Sequence, residues 1–339
     1  MSAGRNGRIL LRSRPDPVPA LYNFAYEEGE ILAPGNGQFL VKVLYISVEP
    51  AMRGWISEAR NYSDPVPIGA VMRSGAIGVI TESHHRDYAV GEYLFGWFGW
   101  QEWAVSDGRD VMRRIDPALA SLPAQLGIFG FNGLTAWYGM LKIGQPKAGE
   151  TVVVSTAAGA VGSVAGQIAR IKGCRVIGLT GGDEKVAICR DEFGYDDAIN
   201  YRTCGPLEPA LRHACPQGID IYFDNVGGGT LDTVLALLNV GGRVAICGTI
   251  SNSISEAPPM GPRLERAILV ARARLEGFLV LDHLDKFSEA MRDIARWVGE
   301  DKLRHREDVI DGIRQAPEGL MRVLSGRNLG KQVGRVAEA

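Results

Sequence analysis

Residues 151–167, TVVVSTAAGAVGSVAGQ, decide how the rest of the chain is interpreted. The β-branched run at 151–154 is short and continuous, as in a parallel strand that is covered on both faces. Ala157, Gly159 and Gly162 then occupy the first, third and sixth places of a G-x-G-x-x-G pattern, with Ala in place of the first Gly. A helical pattern follows over 164–171. The stretch therefore predicts a strand, a tight turn and a helix, in that order.

This order is the one that a dinucleotide site requires. Small residues let the backbone approach a pyrophosphate closely, and the first N–H groups of the helix then face the anion. A strand predicted at 175–179 completes a βαβ unit. The glycine pattern alone fits equally well a helix that packs tightly on a strand. The strand, turn and helix context favours the dinucleotide site.

The end of the second strand distinguishes between the two common dinucleotides. An acidic residue there would bind the adenosine ribose 2′-hydroxyl of NAD, but the strand runs into the small residues 180–182. Asp183 and Glu184 follow and suit the first turn of a new helix. Lys185 comes next. A strand end without an acid and with a nearby cation favours the 2′-phosphate of NADP, although Lys185 could also be a solvated helix residue.

Composition narrows the class of protein. A length of 339 residues suits two domains better than one. The net charge of −2 carries no basic block, so no nucleic-acid partner is expected. No signal peptide or membrane-spanning stretch is evident, and the sequence predicts a cytoplasmic protein. No two Cys are spaced as Cys-x-x-Cys, and the adjacent His84 and His85 suit a solvated loop better than a metal site, so no metal is expected.

The pattern of predicted strands and helices changes twice along the chain. Residues 1–126 predict a β-rich module with short strands, and the long segment 47–68 has the mixed composition of a binding-cleft wall. Residues 127–302 alternate strand and helix patterns, which predicts a doubly wound Rossmann domain. Its later strands are expected at 198–201, 219–223, 242–247 and 276–281, and its longest helices at 263–274 and 285–299. Residues 303–339 are expected to fold back onto the first module.

Several motifs, matched in order, extend this interpretation to a family. VEPAMRGW, GLTAWYGMLKIGQPKAGETVVVS, AAGAVGSVAGQIA, DNVGG, Lys185 after GGDE and a terminal GRNLGK occur along the chain. The chain resembles, over its whole length, the zinc-independent medium-chain dehydrogenase/reductases. Within them it resembles the NADP-dependent alkenal/one double-bond reductases, the group of prostaglandin reductase (leukotriene hydroxydehydrogenase) and curcumin reductase. The resemblance implies an α/β fold, with a β-rich GroES-like catalytic domain at 1–126 and 303–339 and a Rossmann NADP-binding domain at 127–302.

The resemblance also implies an activity, the NADPH-dependent reduction of the C=C bond of α,β-unsaturated aldehydes or ketones. Hydride would add to the β-carbon and a proton to the α-carbon of the resulting enolate. The Gly-His-Glu motif and the four-cysteine lobe of the zinc-containing relatives do not occur in the sequence. Two alternatives stay open, a carbonyl reductase or alcohol dehydrogenase without zinc, and a quinone-reductase-like protein that binds NADPH. A homodimer is expected because such relatives commonly pair their Rossmann sheets edge to edge.

The resemblance assigns cofactor binding to residues in both parts of the chain. Lys185 and Tyr201 would grip the 2′-phosphate, the backbone of Phe278 and Val280 would meet the carboxamide, and Asn328 would close over the cofactor. Tyr201 could equally be a half-buried strand end. The full NADP(H) set is Thr135, Gly159, Ala160, Val161, Gly162, Gly182, Lys185, Tyr201, Asn225, Cys247, Gly248, Phe278, Val280 and Asn328.

The substrate side departs from the family pattern. Many members carry a Tyr in a GAISxYN-like segment, where this chain has GTISNSIS with Ser253, and a second family Tyr is replaced by Ala51. Tyr62 is the remaining side-chain candidate for the catalytic proton donor, beside a ribose 2′-hydroxyl and a bound water. The pocket is expected to include Met52, Arg53 and Ser253. Loss of two rings suggests a roomier pocket that accepts an aryl-bearing or otherwise bulky enone.

Overall fold

The computed structural model describes residues 4–16, 18–59, 61–251 and 260–338. The chain forms two compact units, one of Met1–Leu126 with Glu307–Ala339 and the other of Gly127–Arg306. Residues 303–306 thus lie with the second unit, whereas the sequence places the return at 303. The reason is a pair of hydrogen bonds, because the Gln167 amide donates to Arg304 O and accepts from Arg304 N, both at 2.8 Å.

The N-terminal stretch of the first unit consists of short strands and two short helices. They are β1 (Arg5–Leu11), β2 (Phe24–Glu30), β3 (Phe39–Ser47), α1 (Met52–Trp55), β4 (Ala76–Ser83), β5 (Tyr93–Gly96), β6 (Trp103–Ser106), β7 (Val111–Ile115) and α2 (Leu122–Leu126). β1 and β2 pair as an antiparallel hairpin. The segment 47–68, predicted to form a wall of the binding cleft, contains α1.

The second unit begins with a helix and then alternates strands with helices. Its elements are α3 (Phe131–Tyr138), β8 (Thr151–Ser155), α4 (Gly162–Ile171), β9 (Arg175–Thr180), α5 (Asp183–Ala187), β10 (Asp197–Asn200), α6 (Leu207–Ala214), β11 (Ile219–Asp224), α7 (Gly228–Leu235), β12 (Leu238–Ile246), α8 (Glu265–Ala271), β13 (Arg274–Gly277) and α9 (Phe287–Gly299). The strands pair in parallel in the order β10-β9-β8-β11-β12-β13. Every residue of β8 is buried, as its continuous apolar run predicts.

The C-terminal stretch adds two strands to the sheet of the first unit, β14 (Glu307–Asp311) and β15 (Lys331–Arg335), with the helix α10 (Ala316–Leu324) between them. That sheet has the order β14-β15-β3-β4-β5-β7, and β6 also pairs with β3. Phe98 and Trp100 are buried in the hydrophobic core of this unit. The α/β class, with a Rossmann sheet and a separate β-rich unit, is therefore confirmed.

Two predicted elements of the second unit differ in the structure. The helix expected over 263–274 is only Glu265–Ala271, because Arg272 takes a left-handed conformation with φ of 49° and ends it. The strand expected over 276–281 is β13, Arg274–Gly277, and a 3₁₀ segment Val280–Lys286 follows it. The helix was predicted too long because it ends at Arg272, a residue type that gives no turn signal in the sequence.

Candidate functional site: the crevice of the parallel sheet

The order of strands in the second unit creates one switch point, between β8 and β11. The chain leaves β8 toward β9 on one side and leaves β11 toward β12 on the other. In an open parallel sheet, the crevice outside the carboxyl ends of two such strands is where ligands bind. Ser155 ends β8 and Asp224 ends β11. The predicted residues 159–162 and Asn225 follow these ends directly.

The turn between β8 and α4 is crowded at its two glycines, Gly159 and Gly162. Gly159 N donates to Thr156 O at 2.8 Å, and Thr156 itself has a φ of 50°. A Cβ on Gly162 would lie 2.3 Å from Thr156 O, and one on Gly159 would lie 3.1 Å from the same atom. No side chain caps α4. The predicted glycines thus form a bare backbone cradle at the start of a helix, which suits a phosphate anion.

Tyr195, which sequence reasoning missed, supports this cradle by a hydrogen bond to its last residue, Gly162. Its hydroxyl donates to Gly162 O at 2.7 Å, and burial raises the pKa of this phenol well above its ordinary value. A Cβ on Gly166 would lie 2.0 Å from the Tyr195 hydroxyl oxygen. Gly166 is therefore a packing glycine, and it lets the Tyr195 ring hold the first turn of α4 in place.

A buried hydrogen-bond network joins the ends of β8 and β11. Asn225 N donates to Ser155 Oγ at 2.8 Å, and Asn225 Nδ2 donates to Ser155 O at 2.7 Å. Asp224 is fully buried, and its Oδ1 accepts from Tyr222 Oη, Val226 N and Gly227 N, all at 2.9 Å. The backbone N–H and the side-chain amide N–H of Asn225 thus both bind Ser155, and the side-chain oxygen of Asn225 is the atom that could bind a ligand. Ser155 had no signal in the sequence, because its partner Asn225 lies 70 residues away. Asp224 belongs to the DNVGG motif, but that motif does not reveal its burial.

Cys247 and Gly248 lie beside this network at the end of β12. Their backbone N–H groups donate to Asp224 O at 2.8 and 3.1 Å. Burial, together with the neighbouring Asp224, raises the pKa of the Cys247 thiol to about 12. The thiol is therefore protonated at neutral pH and cannot act as a nucleophile.

The residues predicted to bind the adenosine end lie together at the end of β9. Tyr201 N donates to Thr180 O at 3.0 Å, which places Tyr201 beside the strand end, and its side chain is 48% exposed. Nothing lies within 4 Å of a Cβ built on Gly182. Lys185 lies in α5, three residues after Gly182. The structure thus brings the hydroxyl and the open backbone together, with the lysine on the adjoining helix.

The residues expected near the nicotinamide belong to α3 and to the segment after β13. The Thr135 hydroxyl donates to Phe131 O at 2.7 Å. The Phe278 ring covers Gly139, whose added Cβ would lie 2.7 Å from it, and lies 5.6 Å from the Tyr138 ring. Val280 begins the 3₁₀ segment instead of lying in a strand.

The first unit holds Met52, Arg53 and Tyr62, which were predicted for the substrate side, and Asn328, which was predicted to close over the cofactor. Met52 is fully buried in the core of this unit, and burial lowers the pKa of the Arg53 guanidinium. Tyr62 is 53% exposed. Asn328 Nδ2 donates to Gly330 O at 2.8 Å. Ser253 lies outside the described residues, and the roles of the other four remain predictions.

A buried lysine joins the GRNLGK and VEPAMRGW segments within the first unit. Lys331 Nζ donates to Ser47 Oγ at 2.5 Å, to Val48 O at 3.2 Å and to Glu49 Oε1 at 3.1 Å. Burial alone would raise the pKa of the Glu49 carboxyl, but Lys331 and Ser47 outweigh this effect and hold the pKa below its ordinary value. The pair fixes the chain just before Met52 and Arg53.

Two further properties of the described parts of the chain bear on the site. Among these residues, no group of three or more His, Cys, Asp or Glu side chains is arranged to hold a metal ion. In the same ranges, no helix combines the length and the apolar character needed to cross a bilayer.

Comparisons with known proteins agree with this geometry. Residues 7–113 match the family described as the N-terminal domain of oxidoreductase, and residues 160–296 match the zinc-binding dehydrogenase family. The NADPH-dependent curcumin reductase of Escherichia coli (strain K12) is 42% identical over 339 residues, which cover 98% of this chain and 97% of that protein. Prostaglandin reductase 1 of Sus scrofa is 38% identical over 320 residues, covering 94% of each.

A solved structure matches the whole chain. The crystal structure of CurA in complex with NADPH from Vibrio vulnificus superposes with a TM-score of 0.93 at 38% identity, covering 99% of this chain and 100% of that one. The sequence motifs, the crevice and these matches agree throughout. The chain is therefore an oxidoreductase of the medium-chain dehydrogenase/reductase superfamily and belongs to its NADP-dependent double-bond reductase group.

Proposed function

We propose that this chain uses NADPH to reduce the C=C bond of α,β-unsaturated aldehydes and ketones, including aryl-bearing or bulky enones. The observation that carries the proposal is the bare cradle at the switch point, where a Cβ on Gly162 would lie 2.3 Å from Thr156 O. This cradle occurs in a chain that is 42% identical to a protein named as a curcumin reductase. When bound, NADPH supplies the hydride that adds to the β-carbon.

The residues of the second unit fit this cofactor along its length. The backbone of Gly159, Ala160, Val161 and Gly162 would bind the pyrophosphate through N–H groups at the start of α4. Lys185 and the Tyr201 hydroxyl would bind the 2′-phosphate. These assignments are supported by the cradle and by the open space at Gly182, where a Cβ would meet nothing within 4 Å.

The nicotinamide end would lie near the network that joins β8 and β11. The Ser155 contacts fix the Asn225 amide so that its oxygen is available to the ligand. Cys247, Gly248 and Thr135 would line the same region, and the backbone of Phe278 and Val280 would meet the carboxamide. The protonated Cys247 thiol has a functional advantage here, because a thiolate would add to an enone substrate.

The chain must also provide a proton for the α-carbon of the enolate. We assign this role to the exposed Tyr62 hydroxyl, with a ribose 2′-hydroxyl or a bound water as the alternative donor. Tyr62→Phe tests this assignment. Loss of a side-chain donor lowers kcat by about 10²-fold or more at unchanged NADPH affinity, whereas an unchanged kcat would assign the proton to one of the two alternative donors.

The reaction type is tested with purified protein, NADPH and 4-phenyl-3-buten-2-one, with NADH in parallel and the product identified by mass spectrometry. The proposal expects the saturated ketone and a preference for NADPH. The allylic alcohol would instead indicate carbonyl reduction, the alternative activity that the fold permits.

A homodimer and a cytoplasmic location remain predictions. β13 is an edge strand of the parallel sheet, and an unpaired edge can accept a strand from a second copy. Leu269 and Val270 on the neighbouring α8 are exposed. Sedimentation equilibrium is expected to give twice the chain mass of 36.6 kDa, and a monomer at micromolar concentration would contradict the dimer.

A further inference from the structure

We infer that Arg202 is a second cation for the 2′-phosphate of the cofactor and that it helps to determine the preference for NADPH over NADH. The inference rests on the proposed cofactor, and it adds a residue that neither the motifs nor the resemblance assigned. Arg202 follows Tyr201 directly, in the turn after β10. It lies in the second unit together with Lys185.

The first observation is the geometry at Gly181, just past the end of β9. A Cβ built on Gly181 would lie 2.7 Å from the Tyr201 hydroxyl oxygen and 3.1 Å from Arg202 Nε. The phenol and the guanidinium therefore both face the backbone where the strand ends, which is the point that the adenosine ribose reaches in this fold. The next residue, Gly182, is open. A phosphate on the ribose would thus have space beside two polar groups.

The second observation explains how Arg202 is held there. Asn200 Oδ1 accepts a hydrogen bond from Arg202 N at 3.1 Å, which fixes the turn. Asn200 Nδ2 donates to Asp183 Oδ1 at 2.7 Å. The same amide therefore fixes the backbone from which the Arg202 side chain leaves, and it binds the acid nearest to the strand end. An acid in that place would otherwise favour the 2′-hydroxyl of NAD.

The chemistry of the side chain suits the ligand. A guanidinium is charged at every relevant pH, and its planar N–H groups match two oxygens of a phosphate. A lysine offers only a point charge. Lys185 and Arg202 approach from two different elements, α5 and the turn after β10. A dianionic 2′-phosphate would thus meet a cation from each element.

The inference is tested by isothermal titration calorimetry with adenosine 2′,5′-bisphosphate and with 5′-AMP, which differ only in the 2′-phosphate. The variants are Arg202→Gln, Arg202→Lys and, as a matched control, Arg212→Gln. Arg212 is an exposed arginine on α6, where it pairs with Glu208 away from this turn. No enone is needed, so the test does not depend on the catalytic reaction.

Arg202→Gln is expected to weaken binding of the bisphosphate about tenfold, because a hydrogen bond to a charged group is lost, and to leave 5′-AMP binding unchanged. Arg202→Lys should restore part of the loss, and Arg212→Gln should bind both ligands as the wild type does. Unchanged bisphosphate binding in Arg202→Gln, or an equal loss for both ligands, would overturn the inference. If the wild type itself bound both ligands equally, the proposed cofactor would be wrong instead.

Discussion

Replacement of Gly162 by Ala tests whether the turn after β8 is the pyrophosphate cradle. The added Cβ would lie 2.3 Å from Thr156 O, 2.9 Å from Thr156 C and 3.1 Å from Ser155 O. All three neighbours are backbone atoms, so no side-chain rotation can relieve the overlap. The turn has to open, and the hydrogen bond from Gly159 N to Thr156 O is strained or lost.

The magnitude follows from these contacts. Overpacking against a rigid wall costs about 1–3 kcal/mol, and the helix propensity gained from Gly to Ala returns at most about 1 kcal/mol at an interior position. Gly162 is the first residue of α4, so the gain is smaller there. A net loss of about 2 kcal/mol lowers the melting temperature by roughly 4–8 °C for a unit of this size. Displacement of one N–H donor from the phosphate should weaken NADPH binding about tenfold.

The assay is NADPH binding by fluorescence and unfolding by calorimetry, with Gly229→Ala as the control. Gly229 also lies in the first turn of a helix, α7, but a Cβ there meets nothing within 4 Å. The control should bind NADPH normally and melt at or slightly above the wild-type temperature. If Gly162→Ala bound NADPH as tightly as the wild type, the pyrophosphate would not lie in this turn.

Three further results are expected. Ser155→Ala removes the acceptor of Asn225 N and should lower the free energy of unfolding by about 1–3 kcal/mol in a denaturant titration; an unchanged midpoint would argue against the network. Lys331→Met leaves the largely buried Glu49 carboxylate unpaired and should cost about 3 kcal/mol. Because the pKa of Glu49 is lowered in the folded wild type, the stabilisation from this pair is present above about pH 4.3 and is lost as pH falls through the folded-state pKa. In Lys331→Met, burial acts on Glu49 without the lysine and moves the folded-state pKa of this carboxyl upward, so the loss of stability on acidification should be smaller than in the wild type, and identical pH profiles would refute the pairing. Iodoacetamide at pH 7.5 should label Cys204 first, and Cys204→Ser should remove the fast phase, because burial raises the pKa of the other thiols. Those pKa values are about 11 for Cys174 and Cys215 and about 12 for Cys189 and Cys247.

The parallel sheet could be predicted because its strands carry local signals. The continuous apolar run of β8 and the small residues before α4 are each sufficient to place an element. β1 and β2 were not placed individually, because this hairpin is rich in Arg and Glu and pairs residues far apart, from Arg5 with Glu30 to Leu11 with Phe24. Local pattern cannot reveal such a pairing.

The residues of the site likewise divide into those with a local sequence signal and those without one. The glycines of the cradle are visible in the sequence because a backbone that approaches a phosphate requires them. Tyr195 and Ser155 were missed because each acts through a partner distant in the chain, with 33 residues between Tyr195 and Gly162 and 70 between Ser155 and Asn225. The partners of Asp224 are close in the chain, and what the sequence did not reveal is its burial. A buried polar residue has no sequence signal of its own, since its role depends on the groups that the fold brings to it.

The central claim is that this chain transfers hydride from NADPH to the β-carbon of an enone. Its most direct test is reduction of 4-phenyl-3-buten-2-one with NADPH deuterated at C4, followed by NMR of the product. The expected product is a saturated ketone with deuterium on the β-carbon. Deuterium on the carbinol carbon of an allylic alcohol would contradict it and would make the protein a carbonyl reductase.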